Sequence, residues 1–127
     1  MVYPKEHYVT PSQTRSIILV NRWLASDTWS QVDIRSSDVT AIAINTGIGK
    51  VLLINMYNDI GQQHGLTCSI PVLHERQQVG EPESHVEQAI WVGDFNLHHS
   101  LWDEGHNRHL FTRGNLEKSQ VLIYVID

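Results

Sequence analysis

Apolar residues fall along this chain in short bursts rather than long stripes, and the spacing within each burst predicts strands more often than helices. Ser16-Ile17-Ile18-Leu19-Val20 is a compact β-branched run, the pattern of a strand buried on both faces. From Trp29 to Ile34 the pattern becomes alternating, with Val32 and Ile34 on one side and Gln31 and Asp33 on the other, as in a half-buried strand. The runs 39–44 and 50–57 flank Asn45-Thr46-Gly47-Ile48-Gly49, whose two glycines are free to take positive φ, and together they predict a β-hairpin. Ala89-Ile90-Trp91-Val92-Gly93 predicts a further buried strand that runs straight into Asp94-Phe95-Asn96.

The segments between these runs are polar. Residues 1–14 contain Pro4 and Pro11 and show no sustained period, so they read as an opening loop. Residues 58–65 read as another loop, and 66–78 as a helix with Pro71 in its first turn, where a missing N–H costs nothing. Gly80, Pro82 and the glutamates Glu81, Glu83 and Glu87 make 79–88 an exposed, solvated linker. The apolar tail 121–126 has a strand-like composition, but Asn115 as N-cap and Glu117 in the first turn favour a helix from about 115 to 126. Several strands with few helices predict an α/β or α+β sandwich, with Trp23, Trp29, Trp91 and Trp102 in the core or at its rim.

Composition narrows the function classes. The chain has 127 residues, 41% of them hydrophobic, which suits a single folded domain over 1–127. With Lys+Arg at 9 against Asp+Glu at 14, the net charge of −5 argues against a general nucleic-acid coat but leaves room for a nuclease with an acidic site. The lone Cys68 excludes an intrachain disulfide and a multi-cysteine zinc cage. No apolar stretch has the length of a signal peptide or membrane span, so the expectation is an intracellular protein, nuclear or cytoplasmic, without a membrane partner. His98, His99, His106 and His109 invite a zinc reading, weakened because neighbouring His98 and His99 point to opposite sides of an extended chain.

The densest chemistry lies in the segment Trp91-Val92-Gly93-Asp94-Phe95-Asn96-Leu97-His98-His99-Ser100-Leu101-Trp102. Gly93 permits a turn or a close backbone approach, and the i, i+2 spacing of Asp94 and Asn96 aims both side chains the same way from extended backbone. Asp94 can then orient or deprotonate a water while Asn96 donates to a phosphoryl oxygen. On spacing alone, simple turn hydrogen bonds after a strand explain the same residues equally well.

Gly93-Asp94-Phe95-Asn96 followed by His98-His99 and Trp102 resembles the endonuclease/exonuclease/phosphatase superfamily, and most closely the apurinic-type endonuclease domain of non-LTR retrotransposons. Two further segments agree in order: 42–45, and 52–59, which looks like the family strand ending in a site tyrosine. The likeness spans about residues 15–126, and Ser100 stands where these domains often have proline. It implies a DNase I-like αββα sandwich, a Mg²⁺ or Mn²⁺ cofactor, DNA as partner and phosphodiester cleavage by water. By the same likeness Asp94 matches the water-activating aspartate and a partial or indirect metal contact, Asn96 the transition-state asparagine and Tyr57 the phosphate-contacting tyrosine. Asn58, His98 and His99 are the implied substrate contacts.

The family pattern also has a first strand with an asparagine and a metal-binding glutamate, and closing strands with an Asp-His pair; Glu6 lacks that strand context. The expectation is therefore a partial domain, lacking the N-terminal and C-terminal strands, with little activity on its own and with open sheet edges prone to self-association. A non-catalytic relic or interaction protein, and a phosphatase-branch member acting on a phosphoinositide or nucleotide, stay open beside the nicking endonuclease.

Overall fold

The computed structural model describes residues 1–47, 49–59 and 86–126, with side chains in the last stretch described for 88–120. The helix expected over 66–78, Cys68 and residues 79–85 of the expected linker lie outside them. Four strands form one mixed sheet in the order β1 (Trp29–Val32), β2 (Val39–Thr46), β3 (Gly49–Tyr57) and β4 (Val86–Asp94). β2 is antiparallel to both β1 and β3, whereas β4 runs parallel to β3. Among the described residues one α-helix, α1 (Arg113–Ile126), and three 3₁₀ turns complete an α+β fold.

The hairpin forms where its glycines predict, pairing Thr46 with Gly49 and Val39 with Met56 at its two ends. Gly49 closes the turn at φ 140°, a conformation costly for any side chain. Alternation then sorts the sheet into two faces. Val39, Ala41 and Ala43 meet Met56, Ile54 and Leu52, and with Val32, Ile34 and Leu97 they make the larger core, against which Trp91 and Phe95 pack. Each buried Val, Ile, Leu or Met among them contributes about 1.5–3 kcal/mol relative to exposure, and each Ala less. On the opposite face Ile42 meets Val2 and Ile18, with Trp29, Ile44 and Leu53 at the margin.

Ser16–Val20 is not the doubly buried strand its composition suggests. It is a strap laid across the second face, paired among the described residues to the rest of the backbone only through the reciprocal Val2–Ile18 bridge at 2.8 and 3.0 Å. Side chains from the sheet bond it instead of a ladder: Thr40 Oγ1 donates to Ser16 O, Asn55 Nδ2 donates to Ile17 O, and Ser16 Oγ donates to Asn55 O. Ile17 and Leu19 consequently face solvent. The opening residues are also more ordered than a loop, with 3₁₀ turns at Lys5–Tyr8 and Pro11–Gln13 and with Val2 and Pro4 buried.

Other boundaries shift for local reasons. β1 ends at Val32, yet Ile34 stays buried, so the alternation outlasts the ladder. β4 starts at Val86, inside the expected 79–88 linker, because Lys50 and Val51 extend the β3 edge for it to pair with. α1 begins two residues before Asn115, since Thr112 Oγ1 rather than Asn115 accepts an orphan N–H, that of Asn115 itself. The Asn115 side chain donates to Leu110 O, and Glu117 pairs with Arg113 one turn away instead of standing in the first turn. Trp23, expected in the core, is 81% exposed beneath the Arg22 guanidinium.

Arg15 anchors the strap to the sheet. Its Nε and Nη2 donate to the two Asp38 oxygens at 2.7 Å, and Nη1 donates to Asp59 at 2.8 Å. These carboxylates raise the guanidinium pKa above its ordinary value, Asp38 foremost. The Asp38 side chain is 3% exposed and that of Arg15 41%, so losing one partner has unequal costs. Arg15→Ala strands a buried carboxylate, whereas Asp38→Ala leaves a guanidinium that water can reach. Urea denaturation is expected to show a loss of roughly 2–3 kcal/mol for Arg15→Ala and a smaller loss for Asp38→Ala.

Candidate functional site

The parallel pairing of β3 and β4 brings two strand C-terminal ends side by side, with Met56 opposite Gly93 and Tyr57 opposite Asp94. Gly93 is required there. Its φ is 122°, and a Cβ built on it would lie 1.9 Å from Met56 O, so no other residue allows the strands to approach in this register. Beyond the ladder, polar groups fasten the two ends together. Asn58 N–H donates to Asp94 O at 2.8 Å, Asn58 Nδ2 donates to Phe95 O at 2.9 Å, and Asn96 Nδ2 donates to Asn58 O at 2.7 Å.

The backbone at Asn96 is not extended but left-handed, with φ 47°, a conformation asparagine tolerates better than most residues. Asp94 Oδ1 accepts the Asn96 N–H at 3.0 Å, closing a tight turn. The two side chains therefore belong to one turn rather than standing parallel on a strand. Asp94 is exposed, and Tyr57 is half-buried with the Arg15 guanidinium 4.7 Å above its ring centroid. Tyr57, Asn58, Asp94 and Asn96 thus gather at one end of the sheet.

His98 and His99 continue from this turn into a second one organised by Asp103. The carboxylate accepts the His99 N–H at 2.9 Å, with His98 Nδ1 and Asn107 Nδ2 both at 3.4 Å. The His99 hydrogen bond holds the Asp103 pKa below its ordinary value, against the opposing effect of desolvation. Trp102 Nε1 donates back to Leu97 O at 2.9 Å, and the His99 ring tilts against the indole at 5.1 Å. The buried Ser119 hydroxyl of α1 donates to His98 O at 3.1 Å, which seats the helix on this loop. Between the loop and the end of β4 lies a cleft of about 560 Å³ lined by Trp91, Asp94, Phe95, Asn96, Leu97, His98, Trp102 and Asp103. Tyr57 and Asn58 adjoin it through their bonds to β4 without being among those residues.

Sequence reasoning missed Arg15, Asp38, Asp103 and Ser119. Arg15 and Asp38 are 23 positions apart and left no local signal. Asp103 did leave one, since a carboxylate four residues after His99 suits a turn that caps its N–H.

No family model, curated protein or solved structure matches this chain. Among the described residues no helix is long and apolar enough to cross a membrane. Nor, among the described residues, do three His, Cys, Asp or Glu side chains converge as a metal site requires. Asp38 and Asp59 are committed to Arg15, so among the described residues Asp94 is the single carboxylate left at the carboxyl ends of β3 and β4. One carboxylate is the minimum of the one or two that a resident Mg²⁺ or Mn²⁺ ion takes together with water and substrate oxygens, so the described donor set is a weak anchor for it.

Gly93→Ala is expected to cost roughly 3 kcal/mol or more in urea denaturation, combining a positive-φ penalty with a backbone clash. For Asp103 the sign follows from its depressed folded pKa. The stabilisation is complete above the ordinary carboxylate value of about 4 and is lost as pH falls through the folded value. The Tm gap between the parent chain and Asp103→Asn should therefore be open near neutral pH and close in strong acid.

Proposed function

We propose that this chain carries the phosphodiester-contacting part of an endonuclease/exonuclease/phosphatase-type site and that, by itself, it binds a nucleic-acid strand without cutting it. The observation that carries this reading is the polar clasp at the adjacent carboxyl ends of β3 and β4, where Asn58 ties Asp94 and Asn96 beside Tyr57. Ligands of α/β sheets commonly lie at such strand ends. The mixed sheet is compatible with one layer of the αββα sandwich that the Gly93-Asp94-Phe95-Asn96 motif implies.

In this reading the Tyr57 hydroxyl donates to a non-bridging phosphate oxygen, while Asp94 Oδ2 accepts from a water held near phosphorus. Asn96 has a second amide N–H beyond the one directed at Asn58 O, and that N–H can donate to a non-bridging phosphate oxygen. Arg15 holds the Tyr57 ring from above. Binding without cleavage is the part of the proposal that rests on Asp94 being, among the described residues, the one carboxylate at these strand ends not committed to Arg15, a weak anchor for the divalent ion that would neutralise the charge on a cleaved phosphodiester.

A supercoiled-plasmid nicking assay with Mg²⁺ or Mn²⁺ is expected to show no more product for this chain than for Asp94→Ala. Robust nicking abolished by Asp94→Ala would overturn the binding-only assignment. In fluorescence anisotropy with a short single-stranded DNA, Tyr57→Phe should weaken binding about tenfold, the worth of one hydrogen bond to a charged oxygen. Unchanged affinity would remove Tyr57 from the site.

A further inference from the structure

Tyr57 shares its side of the sheet with the strap. Alternation along β3 puts Leu53, Asn55 and Tyr57 on the face opposite the larger core, and the parallel pairing sets Ile90 beside Leu53 and Val92 beside Asn55 on that face. The strap crosses the same face lengthwise. Ser16 bonds to Thr40 and Asn55 near the Tyr57 end, Ile18 joins Ile42 in one cluster, and Val20 and Ile44 lie at its margin toward the hairpin turn. Along this course the strap exposes Ile17 and Leu19 and β4 exposes Ile90 and Val92, each by 40% or more.

An aromatic tip stands at the far end. The loop leaves the strap after Val20 and returns as Trp29 opposite Ile44, so both its ends are remote from Tyr57. Asn21 fixes its turn, with Oδ1 accepting the Trp23 N–H and the backbone O accepting the Leu24 N–H, both at 3.0 Å. The Arg22 guanidinium lies 4.9 Å from the indole centroid on one side, and Trp23 is nonetheless 81% exposed. An indole backed by a cation and open to solvent is a stacking platform for a planar ring.

The exposed groups discriminate between forms of nucleic acid. Aliphatic side chains and an indole gain from base faces and not from phosphates, and a duplex turns its phosphates outward while a single strand is free to turn its bases onto such a surface. The net charge of −5 likewise disfavours a duplex, whose binding draws on many cations. From Val39, opposite Met56, to Ile44 the sheet extends roughly 17 Å at about 3.4 Å per residue, the length of about five stacked nucleotides.

We propose that this face is a track for single-stranded nucleic acid, on which a strand held by one phosphate at Tyr57 lays its bases along the strap and β4 and stacks one of them on Trp23. The proposal deepens the phosphodiester reading and rests on it for the anchor at Tyr57.

The full chain is titrated at fixed salt with labelled oligothymidines of three to sixteen nucleotides and with a twelve-base-pair duplex, by fluorescence anisotropy, and with the trinucleotide also by amide shifts in NMR. Affinity should rise with length and level off at about six to ten nucleotides, and the twelve-nucleotide single strand should bind about tenfold more tightly than the duplex. Trp23→Ala should weaken the twelve-nucleotide strand about tenfold and leave the trinucleotide unchanged, since only the longer strand reaches the tip. Val92→Thr, which keeps the side-chain volume, should also weaken the longer strand. Both positions are exposed, and thermal melting checks that the variants fold. Affinity independent of length, a duplex bound as tightly as the single strand, or a silent Trp23→Ala would overturn the track. So would sedimentation showing a dimer that Val92→Thr dissociates, which assigns the face to a second copy of the chain. The two readings fail separately: weakening by Tyr57→Phe with a silent Trp23→Ala keeps the phosphate site and sinks the track, and the reverse keeps the track without its anchor.

Discussion

The close contact between Gly93 and Met56 fixes everything at this end of the molecule. Only a residue without a side chain allows β4 to lie against β3 in the observed register, and that register sets Tyr57 opposite Asp94. The polar bonds that follow depend on it, because Asn58 reaches Asp94 O and Phe95 O only when both strands end at the same level. Hydrophobic alternation sets the register of β2 on β3, where a one-residue slip would turn the buried set outward, but it discriminates poorly in β4, where Ala89, Ile90, Trp91 and Val92 are all apolar. One glycine and one asparagine make that choice.

The loop beyond the sheet repeats this economy with different groups. Asp103, Trp102 and Ser119 each bond to backbone atoms of residues 97–99, so the His98-His99 pair is fixed by its peptide groups, and the cleft wall is set by the same bonds. The histidines are consequently held as parts of a folded turn. Their rings meet an aromatic neighbour and a carboxylate within the loop, His99 against Trp102 and His98 beside Asp103.

Local periodicity made the sheet legible, and long-range polar bonding is where legibility ended. The hairpin could be read from its apolar runs and glycines, and the strand before Asp94 from four apolar residues in succession, although Ile90 and Val92 are exposed and the strand is not the buried one expected. Ser16–Val20 misled because its composition is that of a strand while its backbone partners are the side chains of Thr40 and Asn55, which no window of neighbouring residues contains. Trp23 misled because burial was inferred from residue size alone, and an indole under an arginine can satisfy part of its surface outside the core. At the candidate site the gathering of Asp94, Asn96, Tyr57 and Asn58 followed from motif order. The left-handed turn at Asn96 did not, since it arises from the pull of Asn58 O across the strand gap.

The strap carries an implication for how the chain is made. Ser16 and Ile17 are secured by groups of Thr40 and Asn55, which follow them by 24 to 39 positions. During synthesis this segment leaves the ribosome well before the atoms that will hold it, and its apolar side chains wait in water until the hairpin behind them closes. A segment translated ahead of the hairpin is in this way locked only after the hairpin has closed.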